Sequence, residues 1–146
     1  MNEILSKYLE EKAPIFYVSN SPWNIYPFLK TFIKHYSFPN GPTFLRDYGR
    51  QLLFRDKKVL SHKLESLHRL LDTFDTQKIT LFGDSAEIDI DYYLEMHRSY
   101  GSRIDQILIH DVGHKKNRKR ILQLIEKNEK VDIQLCTKPS DFRLNY

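Results

Sequence analysis

Cysteine is nearly absent from this sequence, and so are long apolar runs. Cys136 is the only cysteine, which excludes an internal disulfide and a cysteine-rich zinc framework. No run approaches the roughly 20 apolar residues that span a bilayer, and the first residues lack the basic flank and apolar block of a signal peptide. We therefore expect a soluble, cytoplasmic protein, at most peripheral to a membrane, with Cys136 as a small buried hydrophobe in the last strand.

Chain length and net charge limit the number of domains and the kinds of partner. The 146 residues are 40% hydrophobic, which is enough apolar material for one compact core, so a single domain over residues 1–146 is predicted. The net charge of +4 and the pI near 9.1 favour anionic partners, namely phosphate esters, acidic lipid surfaces or nucleic acid.

Hydrophobic periodicity predicts alternating helices and strands. An opening helix with apolar Ile4, Leu5, Tyr8 and Leu9 stops near Pro14, and Asn20-Ser-Pro-Trp-Asn24 turns the chain and offers an N-cap. A second helix follows, and its buried stripe is expected to comprise Tyr26, Leu29, Phe32, Ile33 and Tyr36. A third begins near Ser61 after an exposed loop over 47–58.

The remaining pattern is typical of a parallel sheet. Strands are predicted at 15–19, 43–46, 78–82, 104–109 and 131–135, with a helix opened by the acidic run 86–91 and a basic helix at 115–127. Alternation at this spacing implies right-handed crossovers between parallel strands. The expected fold is α/β, with a three-layer sheet covered on both faces.

Small and acidic polar groups follow two of these strands. Ser19 comes at the end of the first, and Asp84 and Asp89 come after the strand that begins at Lys78. Ligands of open α/β sheets bind at the carboxyl ends of the strands. Hydroxyl groups donate hydrogen bonds to phosphoryl oxygens and carboxylates suit Mg²⁺, so this pattern indicates phosphate chemistry.

Four motifs together carry a family resemblance. They are Tyr17-Val-Ser-Asn-Ser-Pro-Trp23, Leu45-Arg-Asp-Tyr-Gly49, His62-Lys63 and Gly83-Asp-Ser-x-x-x-Asp89-x-x-x-Tyr93. In order and spacing, from about 14 to 112, they resemble the catalytic domain of the actin-patch-associated phosphatidate phosphatases, members of the haloacid dehalogenase superfamily. The resemblance implies a Mg²⁺-dependent enzyme that hydrolyses phosphatidic acid to diacylglycerol, on a haloacid-dehalogenase-like, Rossmann-like sheet.

The resemblance also implies roles for particular residues. Ser19 would hold a phosphoryl oxygen, and Lys63 would neutralise the phosphate and the aspartyl-phosphate. Asp84 and Asp89 would be the metal residues, Asp89 by holding water around the ion. In the matching motifs, Asn20 and Arg46 would contact substrate.

Each of these residues has a simpler interpretation. Ser19 could cap the turn before the second helix, Lys63 could be a solvated residue at a helix start, and the two aspartates could be capping and dipole groups. Their co-occurrence at the ends of consecutive strands favours a phosphate site.

One part of the family's pattern is missing. The superfamily carries Asp-x-Asp at the end of its first, central strand, the leading Asp attacking phosphorus; that strand would have to precede Met1. The only Asp-x-Asp here is Asp89-Ile-Asp91, at a helix start. Without the nucleophile no phosphoenzyme forms, so this chain should be inactive unaided, and the two interior strand edges must pair directly or recruit another chain. A fragment, a split product completed by a partner chain and a degenerate relative all fit; a fragment or truncated homologue is favoured.

Two other signals offer competing hypotheses. His110-Asp-Val-Gly-His114 invites comparison with HD metallohydrolases, in which histidines and aspartates activate water on a metal, but that family is all-helical. The basic run Lys115-Lys-Asn-Arg-Lys-Arg120 is a solvated helix face or a contact for an acidic membrane. No nucleic-acid motif occurs, so nucleic acid is not expected as a partner. The alternative to a phosphatase is a noncatalytic module that binds anions or acidic lipid.

Overall fold

The structure is a computed structural model that describes residues 2–47 and 61–145. Its helices are α1 (Asn2–Glu10), α2 (Tyr26–His35), α3 (His62–Thr73), α4 (Asp89–Tyr100) and α5 (Lys115–Lys127). Its strands are β1 (Tyr17–Pro22), β2 (Thr43–Arg46), β3 (Ile79–Asp84), β4 (Ile104–His110) and β5 (Ile133–Cys136). The predicted loop over 47–58 lies, apart from Asp47, outside the described residues.

All strand pairs of the described residues are parallel. One sheet contains β1 and β2, and the other has the order β3-β4-β5. Parallel strands with helices between them and against them confirm the predicted α/β class and are consistent with a Rossmann-like three-layer fold.

The described strands form one sheet in each of two units. That the two interior strand edges pair directly or recruit another chain stays a prediction. The chain forms two compact units, Met1–Thr73 and Phe74–Tyr146; the prediction of a single domain stays a prediction.

The first unit is built around the two-stranded sheet. Helix α3 packs against both β1 and β2 and buries Leu64, Leu67 and Leu71. Its N-terminus is capped by Ser61, whose Oγ accepts the backbone N–H of Leu64 at 3.2 Å. Helix α1 buries Ile4, Leu5 and Tyr8, but Leu9 is exposed, contrary to its predicted place in the apolar stripe.

Helix α2 is the clearest departure from prediction. It buries no residue, and Tyr26, Phe32 and Tyr36 of the predicted stripe are exposed. Its main packing partner among the elements is the 3-10 turn Trp23–Ile25 that precedes it, and neither that turn nor α2 has a side-chain cap. A two-stranded sheet offers a surface only about 10 Å wide, so periodicity alone does not reveal whether such a stripe is covered.

The second unit has the stronger core. Its central strand β4 buries Ile107, Leu108 and Ile109 completely, which accounts for a run that is apolar on both faces. Helix α4 packs against β3 and β4 and adds Ile90 and Met96 to this core. The last strand ends at Cys136, which is only partly buried because it lies at the edge of the sheet; burial still raises the pKa of its thiol.

Candidate functional site

The carboxyl end of β1 carries an irregularity where the phosphate motif was predicted. Val18 pairs with Phe44 and Pro22 with Arg46, so three residues of β1 lie opposite a single residue of β2. Bulges of this kind re-aim side chains and occur next to active sites. The strand therefore continues to Pro22, three residues past its predicted end, and Ser19 and Asn20 lie within the bulge.

The hydroxyl of Ser19 makes local contacts in this bulge. Its Oγ accepts the backbone N–H of Ser21 at 3.1 Å and donates to Ser21 Oγ at 3.0 Å. The predicted capping of a turn by Ser19 is thus present, although it stabilises the bulge rather than the start of α2. A hydroxyl has two acceptor lone pairs and one proton, so a phosphoryl oxygen would have to take the proton now given to Ser21.

Two cations were predicted for the same unit. Arg46 ends β2 and is the register partner of Pro22, so it lies at the same edge as the β1 bulge, since parallel strands share their carboxyl edge. Lys63 lies in the first turn of α3 and is only 7% exposed. The interpretation of Lys63 as a solvated helix-start residue is therefore wrong. Its predicted contact with phosphate stays a prediction.

The two predicted metal residues lie together in the second unit. Asp84 ends β3, and its backbone N–H donates to Asp89 Oδ2 at 3.3 Å. Asp84 Oδ1 accepts the N–H groups of Ala86 at 2.7 Å and Glu87 at 3.3 Å. In the described residues no hydrogen bond reaches its other oxygen, Oδ2. Asp84 therefore shapes the turn and retains an oxygen that could bind a cation.

Gly83 and Tyr93 explain the spacing of this motif. A β-carbon on Gly83 would lie 2.5 Å from Asp89 Oδ2 and 2.9 Å from Tyr93 Cε2, so only glycine lets α4 approach the strand so closely. The buried Tyr93 hydroxyl donates to the Phe82 carbonyl at 2.5 Å. Burial, and then the charges of Asp89, Asp84 and Glu87, raise the pKa of Tyr93 well above its ordinary value. The same negative potential would attract a cation.

Sequence reasoning missed a second group of polar residues, centred on Ser85 and Asp111. Both are buried, and Ser85 Oγ donates to Asp111 Oδ1 at 3.3 Å. Asp111 also accepts the Gly113 N–H at 2.9 Å and pairs with Arg118. Burial alone would raise the pKa of Asp111, but these hydrogen bonds and the arginine charge outweigh it, so the pKa is lowered. The sequence offered one signal for this group, because Asp111 directly follows an apolar strand.

The histidines of the HD comparison do not form a metal centre in the described residues. His110 Nε2 lies 3.1 Å from the Thr137 carbonyl, and His114 is at the N-terminus of α5. Asp111 between them is engaged by Arg118 and Gly113. Across residues 2–47 and 61–145 no group of three or more potential ligands comes together. The pair Asp84 and Asp89 is compatible with Mg²⁺, which commonly takes one or two carboxylates plus water and phosphate.

The basic helix α5 is partly neutralised within its own unit. Arg118 pairs with Asp111, and Arg120 Nη1 lies 2.8 Å from Asp91 Oδ2. Asp91 is thereby held by an arginine, which, with its place on a helix, argues against Asp89-Ile-Asp91 as a nucleophile motif. The cations predicted to meet an acidic membrane are therefore fewer than the sequence implied.

These residues divide between the two units. Ser19, Asn20, Arg46 and Lys63 belong to the first, and Asp84 with Asp89 to the second. Within each unit they lie at the carboxyl ends of parallel strands or on the helix packed against them. This placement defines the class of protein as an α/β domain with polar groups at the strand ends, the arrangement used by phosphate-binding enzymes.

Comparison with known proteins specifies the family. The family model described as "Phosphatidate phosphatase APP1, catalytic domain" matches residues 1–111. The chain belongs to this family. It is 34% identical over 95 residues to phosphatidate phosphatase APP1 of Saccharomyces cerevisiae, covering 64% of the chain and 16% of that protein. It is 33% identical over 101 residues to an uncharacterized protein of Schizosaccharomyces pombe, covering 68% of the chain and 17% of that protein.

The chain thus spans about a sixth of the length of these relatives. No solved structure gives a significant match. In the described residues no helix has the length and hydropathy needed to cross a membrane.

Proposed function

We propose that this chain supplies the phosphate- and metal-binding parts of a haloacid-dehalogenase-like, Mg²⁺-dependent phosphatidate phosphatase. The observation that carries the proposal is the hydrogen bond from the Asp84 backbone N–H to the Asp89 carboxylate, which brings the two acids together at the end of β3. The family model that the chain matches is a phosphatidate phosphatase catalytic domain. The substrate would be phosphatidic acid and the product diacylglycerol, in the cytoplasm or at a membrane surface.

The cations and hydroxyl of the first unit would bind the phosphate. Lys63, held in a mostly buried position, would neutralise a phosphoryl oxygen more effectively than an exposed lysine because the local dielectric is lower. Ser19 would donate its hydroxyl proton to a second oxygen, and Asn20 and Arg46 would contact substrate at the same sheet edge. These residues bind and orient the phosphomonoester.

The carboxylates of the second unit would hold the metal. Asp84 Oδ2 would bind Mg²⁺ and Asp89, which accepts the Asp84 N–H, would orient the carboxylate and the metal's water. When bound, Mg²⁺ neutralises charge on phosphoryl oxygens. The acidic surroundings that raise the pKa of Tyr93 favour a cation at this place.

These residues alone would not turn over substrate. The 146 residues contain one Asp-x-Asp, and its second member, Asp91, is paired with Arg120. A covalent phosphoenzyme requires a carboxylate nucleophile, so hydrolysis would depend on an aspartate that these residues do not supply, for instance from a partner chain. The unaided chain would bind phosphate and Mg²⁺ without hydrolysis.

The test combines binding and activity. Titration calorimetry with inorganic phosphate and Mg²⁺ should show binding that weakens about tenfold in Lys63→Met or Asp84→Asn, the loss of about one charge-assisted hydrogen bond or ligand. Asp75→Asn, an exposed acid of the second unit, and Lys115→Met are the matched controls. Phosphatidic acid in detergent micelles should not be hydrolysed by the chain alone, with Mg²⁺ or with chelator.

Two results would contradict the proposal. Hydrolysis by the unaided chain that is lost in Asp84→Asn would refute the claim of inactivity. If the affinity for phosphate is unchanged by Mg²⁺, by Lys63→Met and by Asp84→Asn, the result would instead support the second candidate, a noncatalytic module that binds anions or acidic lipid.

A further inference from the structure

The turn that follows β3 is held from both sides at one peptide group. This is the peptide between Ser85 and Ala86, to which Ser85 contributes the carbonyl and Ala86 the N–H. Asn117 Nδ2 donates to the Ser85 carbonyl at 2.7 Å, and the Ala86 N–H donates to Asp84 Oδ1 at 2.7 Å. Asn117 of α5 is therefore connected to a predicted metal residue through a single peptide group.

The geometry of a peptide group transmits this contact. A peptide is planar and rigid, and in its trans form the carbonyl and the N–H point in opposite directions. Fixing the Ser85 carbonyl therefore also fixes the direction of the Ala86 N–H. Donation to a carbonyl also polarises the amide, which strengthens the hydrogen bond that its N–H makes. Both effects hold Oδ1 of Asp84 in the turn and leave Oδ2 as the oxygen that the proposed function assigns to Mg²⁺.

The surroundings of Ser85 make this arrangement rigid. Ser85 is fully buried, and its N–H donates to the His110 carbonyl at 2.9 Å. Its Oγ donates to Asp111 Oδ1 at 3.3 Å and accepts the Val112 N–H at 3.0 Å. With the bond from Asn117, every polar atom of Ser85 has a partner at the end of β4 or in the segment after it. Ser85 therefore cannot turn away without leaving a buried polar group unpaired, which is costly.

Asn117 lies outside the part of the chain that matches the family. The family model covers residues 1–111, which include Asp84 and Ser85 but not α5. The contact that fixes the Ser85 carbonyl is therefore contributed by the part of this chain beyond that match.

We propose that Asn117 is a positioning residue for the metal site, which sets the direction of the Asp84 carboxylate through the Ser85–Ala86 peptide. The inference rests on the proposed function, because it requires that Asp84 binds Mg²⁺. Asn117 acts through the peptide and is not itself a ligand. Without it the Asp84 carboxylate gains freedom that must be given up again when the ion binds, and the affinity falls.

A purely structural role is the alternative. Asn117 joins the first turn of α5 to the end of β3, and this bond could serve only to hold the helix in place. Asn117→Ala would then lower the free energy of unfolding without changing the affinity of the folded protein for Mg²⁺. Metal affinity, rather than stability, therefore separates the two roles.

The test is Mg²⁺ titration calorimetry on the full chain. Asn117→Ala should weaken Mg²⁺ binding about threefold to tenfold, the net contribution of one hydrogen bond. Asn128→Ala is the matched control, because Asn128 follows the other end of α5 and donates in the same way to a backbone carbonyl, that of Leu124, at 2.7 Å. This control should bind Mg²⁺ like the unaltered chain. Urea denaturation checks that each variant is folded, and Asn117→Leu, which keeps the size of the side chain, takes the place of Asn117→Ala if the latter does not fold.

A double variant shows whether Asn117 acts through Asp84. Asn117→Ala should weaken Mg²⁺ binding in the unaltered chain but have no further effect in Asp84→Asn, because the carboxylate that it positions is then gone. Phosphate affinity measured without Mg²⁺ should be the same in Asn117→Ala as in the unaltered chain, since the residues proposed to bind phosphate belong to the first unit. A general loss of structure would not produce this pattern.

The outcomes distinguish this inference from the proposed function. If Asp84→Asn weakens Mg²⁺ binding but Asn117→Ala does not, the positioning role is overturned and the proposed function stands. The positioning role is also overturned if Asn128→Ala weakens binding as much as Asn117→Ala, or if Asn117→Ala has its full effect in the Asp84→Asn background. If the unaltered chain does not bind Mg²⁺, or if Asp84→Asn leaves binding unchanged, the proposed function fails and the positioning role fails with it.

Discussion

A methyl group at Gly83 would collide with two side chains that follow it in the sequence. Its carbon would lie 2.7 Å from Asp89 Cβ and 2.9 Å from Tyr93 Cε2, and both partners are buried. Overpacking of this kind typically costs about 1–3 kcal/mol. We therefore expect Gly83→Ala to lower the free energy of unfolding by about this amount, measured by urea denaturation.

The control for Gly83→Ala is an exposed serine in a turn of the same unit. Ser102→Ala removes a hydroxyl from the surface and should change stability by less than about 0.5 kcal/mol. If Gly83→Ala is equally neutral, α4 does not approach β3 as closely as the structure indicates.

Tyr93 gives the protein a defined response to alkali. Its pKa is raised well above 10, first by burial and then by the charges of Asp89, Asp84 and Glu87. A raised pKa means that above pH 10 the folded state retains a proton that the unfolded state has lost, so stability falls as pH rises beyond that point. Below pH 10 the contribution of the Tyr93 phenol to the free energy of unfolding is fully present.

The corresponding variant is Tyr93→Phe. It removes the hydrogen bond to the Phe82 carbonyl and should cost about 1 kcal/mol at neutral pH. Its stability should fall less steeply than that of the unaltered chain when urea denaturation is repeated above pH 10. Parallel curves for the two proteins would show that Tyr93 does not titrate on unfolding.

Asp111 connects three elements at one end of the second unit. It follows β4, bonds Ser85 at the end of β3 and pairs with Arg118 of α5. Asp111→Asn should cost about 2 kcal/mol at neutral pH, because hydrogen bonds to a charged group are lost and a buried amide must replace a carboxylate. Denaturation midpoints would measure the loss, with the exposed Asp75→Asn as control.

The same carboxylate predicts a response to acid. Its pKa in the folded state lies below the ordinary 3.8, so the unfolded state takes up a proton first as pH falls. The stabilisation that the Asp111 carboxylate provides above its unfolded pKa is therefore lost as the pH falls through its folded pKa. Asp111→Asn should flatten this part of the stability profile, and an unchanged slope would contradict the assignment.

At the scale of elements, the sequence predicted most strands and helices but not what covers them. The basic helix was predicted with its observed bounds because its cations and apolar residues separate clearly on a helical face. The aromatic stripe of α2 has an equally clear period, yet its rings are exposed. Periodicity shows which side of a helix is apolar, and only the fold shows whether that side finds a partner.

At the scale of the whole molecule, the residue types of the candidate site were predictable and their arrangement was only partly so. Asp84 and Asp89 could be expected to meet, since only four residues separate the end of β3 from the start of α4. The buried position of Lys63 and the hydrogen bond between Ser85 and Asp111 were not predictable. They depend on contacts between elements far apart in the sequence, which a local pattern does not encode.

The division into two sheets leads to a final prediction about stability across the molecule. Local openings expose amides in regions with few buried contacts, whereas core strands exchange only on global unfolding. Strand β4 buries five of its seven residues, while all six residues of β1 are only partly buried. Native-state hydrogen exchange should therefore be slowest at Ile107, Leu108 and Ile109, faster in β1, and fastest in α2, which buries no residue. Equal protection in β1 and β4 would mean that both sheets open together, and the two-stranded sheet would then owe its stability to more than the contacts of its own unit.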